Sequence, residues 1–206
     1  MLLDMDGTLV DSTAVVERLW SAWAVAHDLP THDVLNVIHG RQGHESMALL
    51  LPHRSSDENL ADNRRLLAQE VRQTEGVVAI AGAAALLASL DGFPHALVTS
   101  ATLELATVRM HAAGLSVPEV AVTAESVAAS KPAPEGFLTA AGLLQAPVDE
   151  CVVFEDSATG IGAARAAGMR VIGVGRSAHA HGADWTVDDL SHIRVTRDGS
   201  SVMLAV

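Results

Sequence analysis

The chain has 206 residues, of which 49% are hydrophobic, and 25 acidic against 13 basic residues give it a formal net charge of −12. That apolar content excludes a disordered chain, and the acidic balance excludes a general nucleic-acid binder, which needs clustered positive charge. One cysteine excludes a disulfide scaffold, and no apolar run approaches the roughly 20 residues of a membrane span. The opening Met-Leu-Leu-Asp-Met-Asp carries acids where an export signal carries bases. A cytoplasmic protein with neither nucleic-acid nor membrane partners is expected.

In chain order, Leu2-Leu3 reads as the tail of a buried strand ending at Asp4. Val15, Val16, Leu19, Trp20 and Trp23 fall on one face of a helix over 13–28. Helices follow at about 31–38, 44–51 and 58–74, so residues 13–75 read as all-helical. From residue 77 strands and helices alternate. Helix 82–90 precedes strand 96–99, helix 102–113 precedes strand 120–123, and helix 134–144 precedes strand 151–154. Helix 158–167 precedes strand 171–174, and Asp198-Gly199 marks a hairpin turn in the tail. Cys151 reads as a core residue within its strand. This order predicts an α/β fold: a Rossmann-like parallel sheet with helices on both faces, plus an inserted all-helical unit. Ligands of such sheets bind at the carboxyl ends of the strands. Those ends are Asp4–Asp6, Thr99-Ser100, the segment near Lys131, and Glu155-Asp156.

Asp4-Met-Asp6-Gly7 aims two carboxylates at one point, with Gly7 allowing the turn. Asp156 and Glu155 end another strand of the same sheet. So many carboxylates at one mouth repel unless a divalent cation relieves them, and an all-oxygen set suits Mg²⁺. Thr99 offers a hydroxyl, Ser100 a backbone N–H and Lys131 an ammonium, the makings of a phosphate site. Lys131 is the only Lys beside twelve Arg, as expected where a compact ammonium and not a planar fork is required. Each motif alone has a plainer reading as a turn or a helix cap. All four standing in order at strand ends is what the plainer readings do not predict. His179, His181 and Asp184 are read as a polar loop and not as a second metal site.

With those motifs written out as Asp4-Met-Asp6-Gly7-Thr8-Leu9-Val10-Asp11-Ser12, Val98-Thr99-Ser100, Ser130-Lys131-Pro132-Ala133-Pro134 and Phe154-Glu155-Asp156-Ser157-Ala158-Thr159-Gly160-Ile161, the chain resembles the haloacid dehalogenase superfamily of phosphohydrolases with a helical (C1-type) cap. The resemblance implies an α/β core of residues 1–12 and 76–206 and a cap of residues 13–75. It implies Asp4 as the nucleophile that forms an aspartyl phosphate and Asp6 as general acid, then base. Mg²⁺ would lie on the Asp4 carboxylate, the Asp6 carbonyl and Asp156, with Glu155 a ligand through water or a group behind the ligands. Thr99, Ser100 and Lys131 would hold the phosphoryl group.

Asp6 separates this chain from dehalogenases, which typically lack the second acid, and from P-type ATPases, which carry Thr there. The cap's Val37-Ile38-His39-Gly40-Arg41 and Trp20 resemble sugar and polyol phosphatases, those acting on 2-deoxyglucose 6-phosphate or glycerol 3-phosphate. They are expected to bind the substrate of a monomer or weak dimer acting on a small phosphorylated metabolite. β-Phosphoglucomutase is also similar, but its cap His that couples closure to catalysis falls here on Val16, its cap Arg on Gly43 or its neighbourhood, and its Lys just after the second motif on Thr102, so the charges that grip a second phosphate are mostly gone. Hydrolysis is therefore expected ahead of isomerisation or of non-catalytic phosphate binding.

Overall fold

The computed structural model describes residues 1–198 and 201–205. Its centre is a six-stranded parallel sheet of Leu2–Leu3 (β1), Ala96–Val98 (β4), Val120–Val122 (β5), Val152–Glu155 (β6), Arg170–Val174 (β7) and Trp185–Val187 (β8). The order is β5-β4-β1-β6-β7-β8. Successive residues of the inner strands enter different cores. Leu3, Leu97, Phe154 and Ile172 pack on one face with Leu105 and Met110 of the helix Leu103–Ala112 (α6) and Leu86 of Ala83–Ser89 (α5). Leu2, Ala96, Val153 and Val171 pack on the other with Phe137 of Glu135–Leu143 (α7) and Ile161 of Ala158–Ala166 (α8). Two covered faces explain why these strands read as unbroken apolar runs.

Four helices precede that alternation: Thr13–Ala26 (α1), Thr31–Ile38 (α2), Gly43–Leu50 (α3) and Ser56–Glu70 (α4). The chain enters them through Val10–Asp11 (β2) and leaves through Val78–Ala79 (β3). These two short strands pair antiparallel, Val10 opposite Ala79 and Asp11 opposite Val78. The helical insertion thus hangs on a two-stranded ribbon. Neither strand is long enough to show a period in sequence, and both went unpredicted.

Several expected ends shift. The fourth insertion helix starts at Ser56, where Ser55 and Glu58 form a reciprocal capping box, and stops at Glu70, not 74. Strand β6 begins at Val152, so Cys151 lies just before it, buried as expected for a core residue. Strand β8, an edge with Trp185 half-exposed, was not predicted. In the tail, Arg194–Asp198 (β9) and Ser201–Ala205 (β10) pair antiparallel, while the expected turn residue Gly199 lies outside the described residues. Among the described residues no helix is long and apolar enough to cross a membrane.

Candidate active site

Strand β1 is flanked by β4 and β6, so the residues that follow these three strands meet at one edge of the sheet. Here the chain's path reverses from one half of the sheet to the other, where such sheets bind ligands. Asp4 follows β1, Thr99 follows β4, and Glu155 and Asp156 lie at the end of β6. Gly7 has φ +85°, and a Cβ there would run into the Asp156 carboxylate. Glycine is what lets the Asp4–Gly7 turn close against Asp156.

Lys131 comes from the loop between β5 and α7 and is almost fully buried. Its Nζ donates to Asp4 Oδ1 (2.5 Å), Glu155 Oε1 (2.9 Å) and the Val98 carbonyl (3.1 Å). An ammonium has three N–H groups, so all are committed. Glu155 is fully buried, and its other oxygen accepts from Ser157 N (2.6 Å) and Ser157 Oγ (3.0 Å). Both Glu155 oxygens therefore carry donors, and the residue stands behind Lys131.

Asp4, Glu155 and Asp156 bring carboxylate oxygens within 4.8 Å of one another. Burial pushes the Asp4 carboxyl up to about 7; Glu155 and Asp6 add to the rise and Lys131 opposes it. Asp156 is raised chiefly by burial too, then by Glu155 and Asp4. Burial works against the Lys131 ammonium, but Asp4 and Glu155 outweigh it and hold it above the ordinary lysine range. The close Lys131–Asp4 pair and the upward shift of Asp4 pull in opposite senses, and burial, helped by the charge of Glu155, decides. One ammonium cannot neutralise three carboxylates, but with a divalent cation beside it the charges balance. The donor set fits a hard divalent metal.

Asp6 is held from two sides. Ser12 Oγ donates to its Oδ1 (2.7 Å), and Arg109 Nη1 to its Oδ2 (2.9 Å). Sequence reading singled out neither partner's role. Thr99 Oγ1 accepts from Ala101 N (3.1 Å), which leaves its own O–H to donate.

Asp4, Asp6, Thr99, Ser100 and Asp156 line a single cavity of about 1040 Å³. Trp20, His39, Gly40 and Arg41 of the insertion line the same cavity. Every sequence-predicted site residue is thus at the cavity or, for Lys131 and Glu155, directly behind it. The 39–45 segment of the insertion lies against the core. Thr159 Oγ1 donates to the His39 carbonyl (2.9 Å), Ser100 Oγ to the Gly40 carbonyl (3.0 Å), and Gln42 Nε2 to the Ala124 carbonyl (3.4 Å). The Ser130 hydroxyl donates to the Glu45 carboxylate. Ser177 and His181, from the segment after β7, also reach the cavity. Asp184 accepts from Val171 N and His179 pairs with Thr186 Oγ1, so this segment is polar and self-bonded.

Residues 1–168 match the family model for haloacid dehalogenase-like hydrolases. Hexitol phosphatase A of Escherichia coli is 42% identical over 201 residues, spanning 95% of this chain and 93% of that protein. Glycerol-1-phosphate phosphohydrolase 2 of Saccharomyces cerevisiae is 30% identical over 186 residues, 84% of this chain and 73% of that one. The crystal structure of β-phosphoglucomutase from Clostridium difficile superposes with a TM-score of 0.79 over 92% of this chain and 90% of that one. At 22% identity that last likeness shows a shared fold and nothing about the reaction.

Proposed function

The chain belongs to the haloacid dehalogenase-like hydrolase family, and from that premise we propose that it hydrolyses the phosphate monoester of a small sugar or polyol, hexitol phosphates among them. The observation that carries this reading is the convergence of Asp4 and Asp6 on one cavity closed by the helical insertion. In the first half-reaction an Asp4 oxygen attacks phosphorus, the bond from phosphorus to the substrate's alcohol oxygen breaks, and Asp6 gives that oxygen a proton. In the second, water attacks phosphorus while Asp6 takes its proton, and the Asp4–phosphorus bond breaks to release phosphate. Thr99 and Ser100 donate to the phosphoryl oxygens. Lys131, its donors spent, acts on that group as a fixed charge beside Asp4. Asp4, Asp156 and the Asp6 carbonyl would hold Mg²⁺, with Glu155 behind them. Bound there, the ion supplies positive charge to the carboxylates and the transferring group.

Residues 13–75 are the proposed cap over a core of 1–12 and 76–206. Trp20, His39, Gly40 and Arg41 would meet the leaving alcohol, since they line the same cavity as the carboxylates. The positions that match a mutase's closure-coupling His, cap Arg and core Lys support hydrolysis over isomerisation. Val16 is an apolar wall of the cavity, Thr102 caps α6 by accepting from Leu105 N, and Gly43 is pressed against Asn63.

The test is phosphate release from a panel of hexitol, hexose and glycerol phosphates, with Mg²⁺ and after chelation. Turnover should require the metal and return on its addition. Conversion of a hexose phosphate to its isomer without release of phosphate, or hydrolysis that persists after chelation, would overturn the assignment.

A further inference from the structure

Arg109 is the least expected side chain at the site. It lies on α6, in the core, and is 4% exposed. Nη1 holds Asp6, yet Nε and Nη2 are buried with no hydrogen-bond partner. Unpartnered buried donors are costly, so packing alone gives no reason to keep a guanidinium here. The nearest counter-charge for Nη2 is Glu70 Oε1 at 3.5 Å, close enough for an ion pair and too long for a good hydrogen bond. Glu70, itself buried, is the last residue of α4, the final helix before the chain leaves the insertion. Ser12, the other holder of Asp6, is the N-cap residue of α1, the insertion's first helix. The Asp6 carboxylate thus lies between donors tied to the start and the end of the cap, next to the β2–β3 ribbon on which the cap hangs.

We propose that Arg109 is a positioning residue for Asp6, and that Glu70 ties its guanidinium to the cap, so that cap position sets the orientation of the acid–base carboxylate. The inference rests on Asp6 serving as acid and base. A small displacement of α4 against α6 makes or breaks the 3.5 Å contact, and the freed or captured guanidinium shifts its hold on Asp6. A carboxylate offers about four acceptor sites, so two anchors fix its plane and still leave room for the alcohol oxygen.

The test compares kcat/KM for an alkyl phosphate, whose leaving oxygen needs a proton, with that for p-nitrophenyl phosphate, whose leaving oxygen does not. This ratio reports proton delivery in the first half-reaction, which loss of fold or of phosphate affinity does not change. Arg109→Met should lower the alkyl-to-aryl ratio by about 10- to 100-fold, within the range of lost general-acid assistance. Arg109→Lys should recover part of it. Glu70→Gln, close in shape, should lower the ratio about 3-fold and add nothing in the Arg109→Met background, a coupling read from the double-mutant cycle. An unchanged ratio in Arg109→Met, or in Arg109→Lys should the first variant not fold, overturns the positioning role. An unchanged ratio in Glu70→Gln, or additive effects in the cycle, overturns the link to the cap. Asp6→Asn serves as the control. If it leaves the ratio at the wild-type value, it is the acid–base role of Asp6 that fails.

Discussion

At the scale of single residues, Lys131 shows why one side chain cannot be exchanged for a near relative. Three N–H groups meet three acceptors, Asp4, Glu155 and the Val98 carbonyl, in a space that leaves the residue 6% exposed. A guanidinium is planar and wider and cannot converge its donors on those three points. Lys131→Arg should therefore lower kcat by about 10²- to 10³-fold, as loss of a preorganised donor does. The loss should be equal on alkyl and aryl phosphates, because in the proposed reaction Lys131 serves the nucleophile and not the leaving group. Steady-state kinetics on both esters check this, and a loss confined to one of them would contradict it. Lys131 was legible because it stands alone among twelve Arg, next to a proline, after a strand. Arg109 was not. Read in sequence it is one more Arg near a helix C-terminus, where cations are favoured anyway. Its meaning comes from Asp6 and Glu70, residues 103 and 39 positions away. The Ser130–Glu45 contact was hidden for the same reason, since no local pattern links residues 85 apart.

At the scale of elements, the alternation of apolar strands and helices was legible because burial on both faces imposes it. The β2–β3 ribbon was not, since two residues per strand carry no period. The cap's helices are joined by a polar cluster that their amphipathic pattern also concealed. Asp62 of α4, buried, pairs with Arg54 (2.7 Å), Arg65 (3.0 Å) and His27 of the turn after α1 (3.0 Å), and accepts weakly from Trp23 Nε1 (3.4 Å). Burial pushes the Asp62 carboxyl up, but the bond from Arg54, the bond from Trp23 and the charges of Arg54 and His27 outweigh it and hold it below its ordinary value. A depressed carboxyl contributes stability that is present above its unfolded value of 3.8 and is lost as pH falls through the folded value. Asp62→Ala strands the largely buried Arg54 and should cost about 3 kcal/mol at pH 7. Urea unfolding should show this difference shrinking as pH drops below about 4, where the wild type loses the same charge. A difference that is constant with pH would mean that packing and not charge joins these helices.

At the scale of the whole molecule, the proposed cap and core meet along three lines: the ribbon, the 39–45 segment lying against the core loops, and the Glu70–Arg109 pair. The second line brings His39 and Arg41 to the cavity, and Gly40 is what permits its close approach. Gly40 has φ +75°, and a Cβ there would run into the hydroxyls of Ser157 and Thr159. The cavity's two ends thus have separate duties. In the proposed reaction the core end would hold phosphate, common to every substrate, and the cap end would meet the alcohol that distinguishes one substrate from another. Arg41→Ala should then raise KM for a sugar or polyol phosphate by about 10- to 150-fold, the loss of a charge-assisted hydrogen bond of roughly 1.5–3 kcal/mol. For p-nitrophenyl phosphate, which has no hydroxyls to offer, KM should change by less than about 3-fold. His39→Ala should show the same selectivity at smaller size. Gly40→Ala should act differently, because it lifts the whole segment off the core. Closure that excludes water would be weakened for every ester, so kcat should fall on both substrates together. Parallel kinetics on the two esters separate these outcomes. If Arg41→Ala and Gly40→Ala change both esters by the same factor, Arg41 holds the lid in place and does not read the substrate.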